Sequence, residues 1–187
     1  MFEHFASTLH IVLGVLHIPS TRNLLEETYR SIQQGDGPNL ANLLLLYGIF
    51  AGAVLAWTPE LLEKLNLNKA GAKIAFQEYT EIAMSITDKP QQNLSPSVIA
   101  LEGLINLTHV LNNTDGMSAK VTTLRCLCQS MARSMQIHRL DTSKSVKERQ
   151  QKPYDAIEVE VMRRIWWEIV ASDWCDACNT FPLSGCR

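Results

Sequence analysis

The chain has 187 residues, 46% of them apolar and 19% charged, and its 17 Lys/Arg against 19 Asp/Glu give a net charge of −2. That length suits a single domain, and that composition excludes wholesale disorder and fibrous repeats. The missing basic excess argues against a segment that grips nucleic acid by itself, because phosphate neutralisation dominates such binding.

Apolar–polar alternation is almost absent and apolar spacings of three and four recur, so helices are expected and strands are not. A first helix is read over Phe5 to Ile18, stopped by Pro19, with Ser20 or Thr21 capping a second that carries Leu24, Leu25, Thr28, Tyr29 and Ile32. Gly35-Asp36-Gly37-Pro38 is a loop. Leu40 to Trp57 is an apolar helix without charge, and Thr58-Pro59-Glu60 starts a short helix through Leu65. Asn68 to Thr87 places Ala72, Ala75, Phe76, Tyr79, Ile82, Ala83 and Ile86 on one face. Asp88 to Asn93 is a loop, and Ser95-Pro96 restarts a helix bearing Val98, Leu101, Leu104, Ile105 and Leu111.

Asp115 is read as the next cap. From Met117 the apolar residues Val121, Leu124, Cys128, Met131 and Met135 lead to His138 at spacings of four and three, the seam of a helix lying in a groove. Residues 141–154 are polar and densely charged, and read as an internal mobile linker. Asp155 with Glu158 resembles a capping box opening a last helix from Ala156 through Trp174 or beyond. The expected fold is all-α, with seven to eight helices in antiparallel pairs forming a bundle or a solenoid-like stack.

The apolar stretch Leu40 to Trp57 has the character of a short membrane span, and Gly48 and Gly52 even form a GxxxG pair. Its 18 residues sit at the short end for crossing a bilayer and no Lys or Arg flanks them until Lys64, so a buried core helix is favoured and a membrane-associated protein is the alternative. Five cysteines and no basic leader point to free thiols. Trp174-Cys175-Asp176-Ala177-Cys178 falls at a helix C-terminus, where the dipole disfavours a thiolate. Cys126 and Cys128 lie about 200° apart on a helix and cannot share a metal. Cys175, Cys178 and Cys186 find no obvious fourth ligand. No metal site, cofactor or catalytic residue is therefore expected, and no nucleophile–base spacing argues for an enzyme.

The most distinctive stretch is the last helix. Ile157, Val161, Ile165 and Ile169 make one line at four-residue spacing, with Met162, Trp166 and Val170 beside it, so this helix is expected to be central. Of the tryptophan pair, one ring is read as core and Trp167 or Trp166 as meeting a neighbouring helix. Arg163 and Arg164 are placed to pair with Glu160 and Glu168, and Asp173 on the inner line needs a partner.

Met162-Arg163-Arg164-Ile165-Trp166-Trp167 followed by Asp173 resembles the Arg-Arg-x-Trp-Trp…Asp signature of the fungal-specific transcription factor domain, the middle homology region of fungal zinc-cluster regulators. Ala132 to Asp141, with Met135-Gln136-Ile137-His138-Arg139-Leu140, is similar to that family's Ala-x-x-Leu-Gly-Leu-His-Arg-Asp stretch, with Gln136 in place of Gly and Leu140 extra. His17-Ile18-Pro19-Ser20 resembles an element near the domain's start, and Leu43 to Trp57 its apolar first core helix.

The resemblance implies family-motif residues His138, Asp141, Arg163, Arg164, Trp166, Trp167 and Asp173 in structural roles. It also implies a nuclear regulatory domain that modulates transcription through protein–protein contacts, self-association or a small effector, with cytoplasm possible for a chain lacking a nuclear signal. DNA reading and zinc belong to a separate six-cysteine module not found in these 187 residues. The family pattern continues past the Trp-Trp…Asp element, so the sequence reads as one incomplete regulatory domain, a fragment or a truncated product that could act as a decoy.

Overall fold

Local sequence sets most helix starts. Asn39, Thr58, Asn68 and Ser97 each accept a backbone amide two or three residues on, at 2.8, 3.3, 2.8 and 3.1 Å. Ser118 and Thr142 do the same at 3.4 Å. Each such cap satisfies an amide the helix cannot satisfy itself and is worth about 1 kcal/mol.

The computed structural model describes residues 1–88, 94–151 and 154–180, the last five of these as backbone. Among the described residues ten α-helices run in order: α1 (Phe2–Ser7), α2 (Leu9–Leu13), α3 (Ile18–Gln34), α4 (Leu40–Leu55), α5 (Pro59–Lys64), α6 (Lys69–Thr87), α7 (Val98–Asp115), α8 (Ala119–Ser134), α9 (Ser143–Gln150) and α10 (Ala156–Thr180). A 3₁₀ turn at Ile137–Arg139 follows α8, and no strand occurs among the described residues. The all-α reading stands.

The count exceeds the expected seven to eight for two local reasons. The first predicted helix breaks at Thr8 and ends at Gly14, which takes a left-handed conformation at φ 63°. The charged stretch after Asp141 carries α9, capped by Thr142 and burying no residue. Other boundaries shift as well. Pro19 opens α3 instead of closing the preceding helix, because a proline in the first turn forfeits no helical hydrogen bond. His17 precedes that turn, with its Nδ1 2.8 Å from the Ser20 hydroxyl. Ser118, not Asp115, caps α8. The expected loop residues 89–93, Pro153 and the segment from Leu183 to Arg187 lie outside the described residues.

The core centres on α4 and α7. Ten of the 16 residues of α4 are buried, and in α7 every residue from Ala100 to Thr108 is. Gly48 and Gly103 let the two backbones approach: a Cβ on Gly103 would sit 2.9 Å from the Leu45 amide nitrogen, and one on Gly48 3.4 Å from Asn106 Cβ. Gly52 faces the Phe5 ring of α1. The GxxxG pair thus serves packing within the bundle, and no described helix is long and apolar enough to cross a membrane.

α6 lies against α4. It turns Ala72, Thr80, Ala83 and Ile86 inward, whereas Ile82, expected on that face, is 39% exposed. α8 packs on α7 through Val121, Leu124, Cys128 and Met131. The predicted seam ends there: Met117 is exposed, and His138 falls in the 3₁₀ turn.

α10 is not central. It lies along the outside of α7, α8 and the 3₁₀ turn, burying Val161, Ile165 and Ile169. Ile157, on the same line, is 45% exposed because it precedes the contact. Trp166 is half-buried against the core, while Trp167, about 100° further round the helix, is 59% exposed.

Candidate functional site

α10 brings the family-motif residues together along about 15 Å of helix, at 1.5 Å per residue from Arg163 to Asp173. At its N-terminal half, Arg163 forks onto Asp141, with Nε and Nη2 each donating at 2.8 Å to one carboxylate oxygen. Its remaining Nη1 donates to Glu160, which also takes Arg164 Nε at 3.1 Å. The predicted pairing with Glu160 is therefore present. Arg149 of α9 joins the cluster, 3.5 Å from Asp141, and donates to the Leu140 carbonyl. Arg149 was not legible beforehand, because it lies in a run of charges with no periodicity to single it out.

Two-point donation by Arg163 holds the Asp141 carboxyl below its usual range, and Arg163 with Arg164 does the same to Glu160. The cluster straps α9 and the 3₁₀ turn onto α10. His138 adds a ring contact, its centroid 5.8 Å from that of Trp166 at an interplanar angle of 50°. Gln136, just before, holds φ at 58°, a left-handed conformation that explains why glycine is the family's usual residue there.

The C-terminal half of the motif leads into a cavity of about 190 Å³ between α7, α8 and α10. Its apolar floor is Ile105, Cys128 and Ile169, all buried. α7 adds Thr108, His109 and Asn112 to the wall. α8 adds Thr122, Arg125, Cys126 and Gln129. α10 supplies Glu168, Ser172 and Asp173.

Several of these groups already touch one another. Asp173 accepts Gln129 Nε2 at 2.9 Å; it is exposed rather than on the inner line, and its partner is an amide where an Arg or a helix N-terminus was expected. Glu168 accepts the Ser172 hydroxyl at 3.3 Å instead of pairing with the arginines of its own helix. Arg125 Nη2 lies 3.5 Å from Asn112 Oδ1. Burial lowers the His109 pKa, partly countered by Glu168, so its imidazole is neutral near pH 7. Burial pushes the Cys128 thiol up to about 12, which makes it inert, while Cys126 is exposed at the mouth.

Sequence reading missed Arg125, Gln129, His109 and Glu168 as neighbours. They come from three helices, and periodicity fixes a helix's own face but not how two faces meet. Among the described residues no group of three His, Cys, Asp or Glu side chains could hold a metal ion. Cys186 and the side chain of Cys178 lie outside the described residues.

Residues 2–180 match the model of the fungal specific transcription factor domain. Over 99% of this chain, the probable transcription factor lepB of Aspergillus flavus is 26% identical. The agnestins biosynthesis cluster transcription factor AgnL11 of Paecilomyces divaricatus and the transcription factor TAS2 of Pyricularia oryzae are each 23% identical over the same share. The chain spans 33%, 27% and 24% of the length of these curated relatives. No solved structure matches it. With the motif residues gathered on and beside α10 and the family model covering nearly every residue, the chain belongs to the fungal-specific transcription factor domain family.

Proposed function

We propose that this domain is the regulatory part of a nuclear transcription regulator. It changes regulator output through contacts made at the α7–α8–α10 cavity, with a small effector or a partner's side chain as occupant. It performs no catalysis, carries no cofactor, and leaves DNA reading to a separate module. The observation that carries this reading is the mixed-charge cavity whose wall includes Asp173 of the family motif. Its polar groups sit above an apolar floor, an arrangement suited to orienting an occupant.

Fusing the 187-residue chain to a heterologous DNA-binding module and an activation segment tests this reading in fungal cells carrying a matched reporter. Reporter output should differ between the wild-type fusion and Ser172→Trp, which fills the cavity, at equal protein levels. Output that is the same for both fusions and for the module without the domain would sink the regulatory reading. A fluorescently tagged copy of the 187-residue chain without the heterologous module should reach the nucleus of the same cells.

A further inference from the structure

α6 carries its charges against its own dipole. A helix is positive at its N-terminus and negative at its C-terminus, so acidic residues favour the first turns and basic residues the last. α6 does the reverse: Lys69 and Lys73 open it, Glu81 lies in its second half, and Asp88 closes it. All four side chains are exposed. Lys69 stands over the Trp57 ring, 5.1 Å from its centroid, and among the described residues none of the four has an ion-pair partner.

These charges flank a stripe that faces away from α4. Ala70, Ile74, Gln77, Glu81, Met84 and Asp88 follow one another at alternating spacings of four and three, the seam along which two helices pair. Ile74 is 56% exposed and Met84 half-buried, whereas Ala72 and Ala83, on the opposite side, are buried in the bundle. Glu78 lies off the stripe, about 100° round from Gln77. The groove beside α6 adds Asp115 and Lys120, one charge of each sign, so the order along α6 sets the polarity.

A stripe positive at one end and negative at the other is complementary to itself turned end for end. We propose that two copies of this chain associate through α6, the helices antiparallel about a two-fold axis, with Lys69 and Lys73 of each copy facing Glu81 and Asp88 of the other. An axis level with Tyr79 sets Ile74 against Met84 of the second copy, Gln77 against its Glu81, and Lys69 beside its Asp88. The lysines of one helix then lie by the C-terminal end of the other, where cations are favoured, so an order that is unfavourable in each helix alone becomes favourable in the pair. A strip along the roughly 28 Å of α6 covers about 300 Å² per copy, well under a standard interface, so the association is weak and sensitive to concentration and salt. It is separate from the α7–α8–α10 cavity and does not depend on the reading of that site.

Sedimentation velocity on the full chain, from about 10 μM to about 1 mM at low ionic strength, covers the range a small interface requires. The wild type should shift reversibly from monomer toward dimer, and added salt should reverse the shift. Lys69→Glu with Lys73→Glu makes the stripe acidic throughout, and Glu81→Lys with Asp88→Lys makes it basic throughout. Each of these variants alone should dimerise about tenfold more weakly than the wild type, because every lost pair counts twice across a two-fold axis. An equimolar mixture of the two should form a heterodimer, and a chain with all four reversals should dimerise like the wild type. Circular dichroism matching the wild type shows that a loss is not unfolding. If either double variant unfolds, the chain with all four reversals carries the test. A wild type that stays monomeric across the range overturns the proposal. So does a double variant that dimerises by itself as well as the wild type, a mixture of folded variants that stays monomeric, or a fourfold reversal that folds without dimerising.

Discussion

Substituting Gly103 by alanine probes the crossing on which the bundle is built. The added Cβ would lie 2.9 Å from Leu44 Cγ, 2.9 Å from the Leu45 amide nitrogen and 3.2 Å from the Leu44 carbonyl carbon. Two of those atoms are backbone of α4, so no rotamer change relieves the contact and the helices must move apart. Overpacking of this kind costs about 3 kcal/mol at the upper end of the usual range. Alanine's better helix propensity returns about 1 kcal/mol. The net expectation is about 2 kcal/mol of destabilisation, or a Tm drop of about 4–8 °C for a chain of this length. Gly48→Ala is the control on the same crossing. Its Cβ would meet nothing closer than Asn106 Cβ at 3.4 Å, so propensity should win and stability should hold or rise by up to about 1 kcal/mol. Urea unfolding followed by far-UV circular dichroism measures both. If Gly103→Ala proves as stable as Gly48→Ala, the close approach of α4 and α7 is not what holds the core, and the reasoning fails.

Burial raises the Glu102 carboxyl to about 8, so the folded chain keeps a proton there that the unfolded chain loses near 4.5. A raised folded pKa makes stability greatest below the unfolded value and erodes it as pH rises, by about 3 kcal/mol between roughly pH 5 and 7.5. Glu102→Gln should flatten that slope in urea titrations, and a wild-type profile that is level across this window would refute the assignment. Gln136→Gly should stabilise the chain by about 0.5–1 kcal/mol, since it relieves a left-handed backbone at some entropic cost; a loss of stability in thermal melts would show that the glutamine side chain matters more than its φ. A double-mutant cycle of Asp141→Asn and Arg163→Gln should give a coupling of up to about 1 kcal/mol, because both side chains are at least one-third exposed. Because the folded Asp141 pKa is depressed, the coupling should be present above the ordinary carboxylate range and vanish as pH falls through the folded value; coupling that persists in strong acid would contradict the ion pair.

The sequence made some features plain and left others hidden for identifiable reasons. Thr58-Pro59 and Asn68 announced helix starts because a cap acts within three residues. The apolar run of α4 announced burial because nothing on it wants water. Pro19 was ambiguous: the same ring that ends one helix can open another, and Gly14 five residues earlier decided which. α10 looked central because an aliphatic line and two tryptophans were read as one wide face, yet Trp167 and Ile157 are exposed and its burial is concentrated on Val161, Ile165 and Ile169. The Arg163–Glu160 pair was legible at three-residue spacing, whereas Arg163–Asp141 spans 22 residues, and the family pattern marked both residues without pairing them. The cavity was not legible at all, since nothing in a single helix records which of its flanks faces another across a gap.

One rigid rod carries both halves of the motif. The arginine fork near its start and the cavity wall near its end share unbroken α-helical hydrogen bonding from Arg163 to Asp173. A helix resists stretching and shear far more than the side chains around it do. A displacement of Glu168 and Asp173 as a body would therefore also carry Arg163 and the strap that fastens α9.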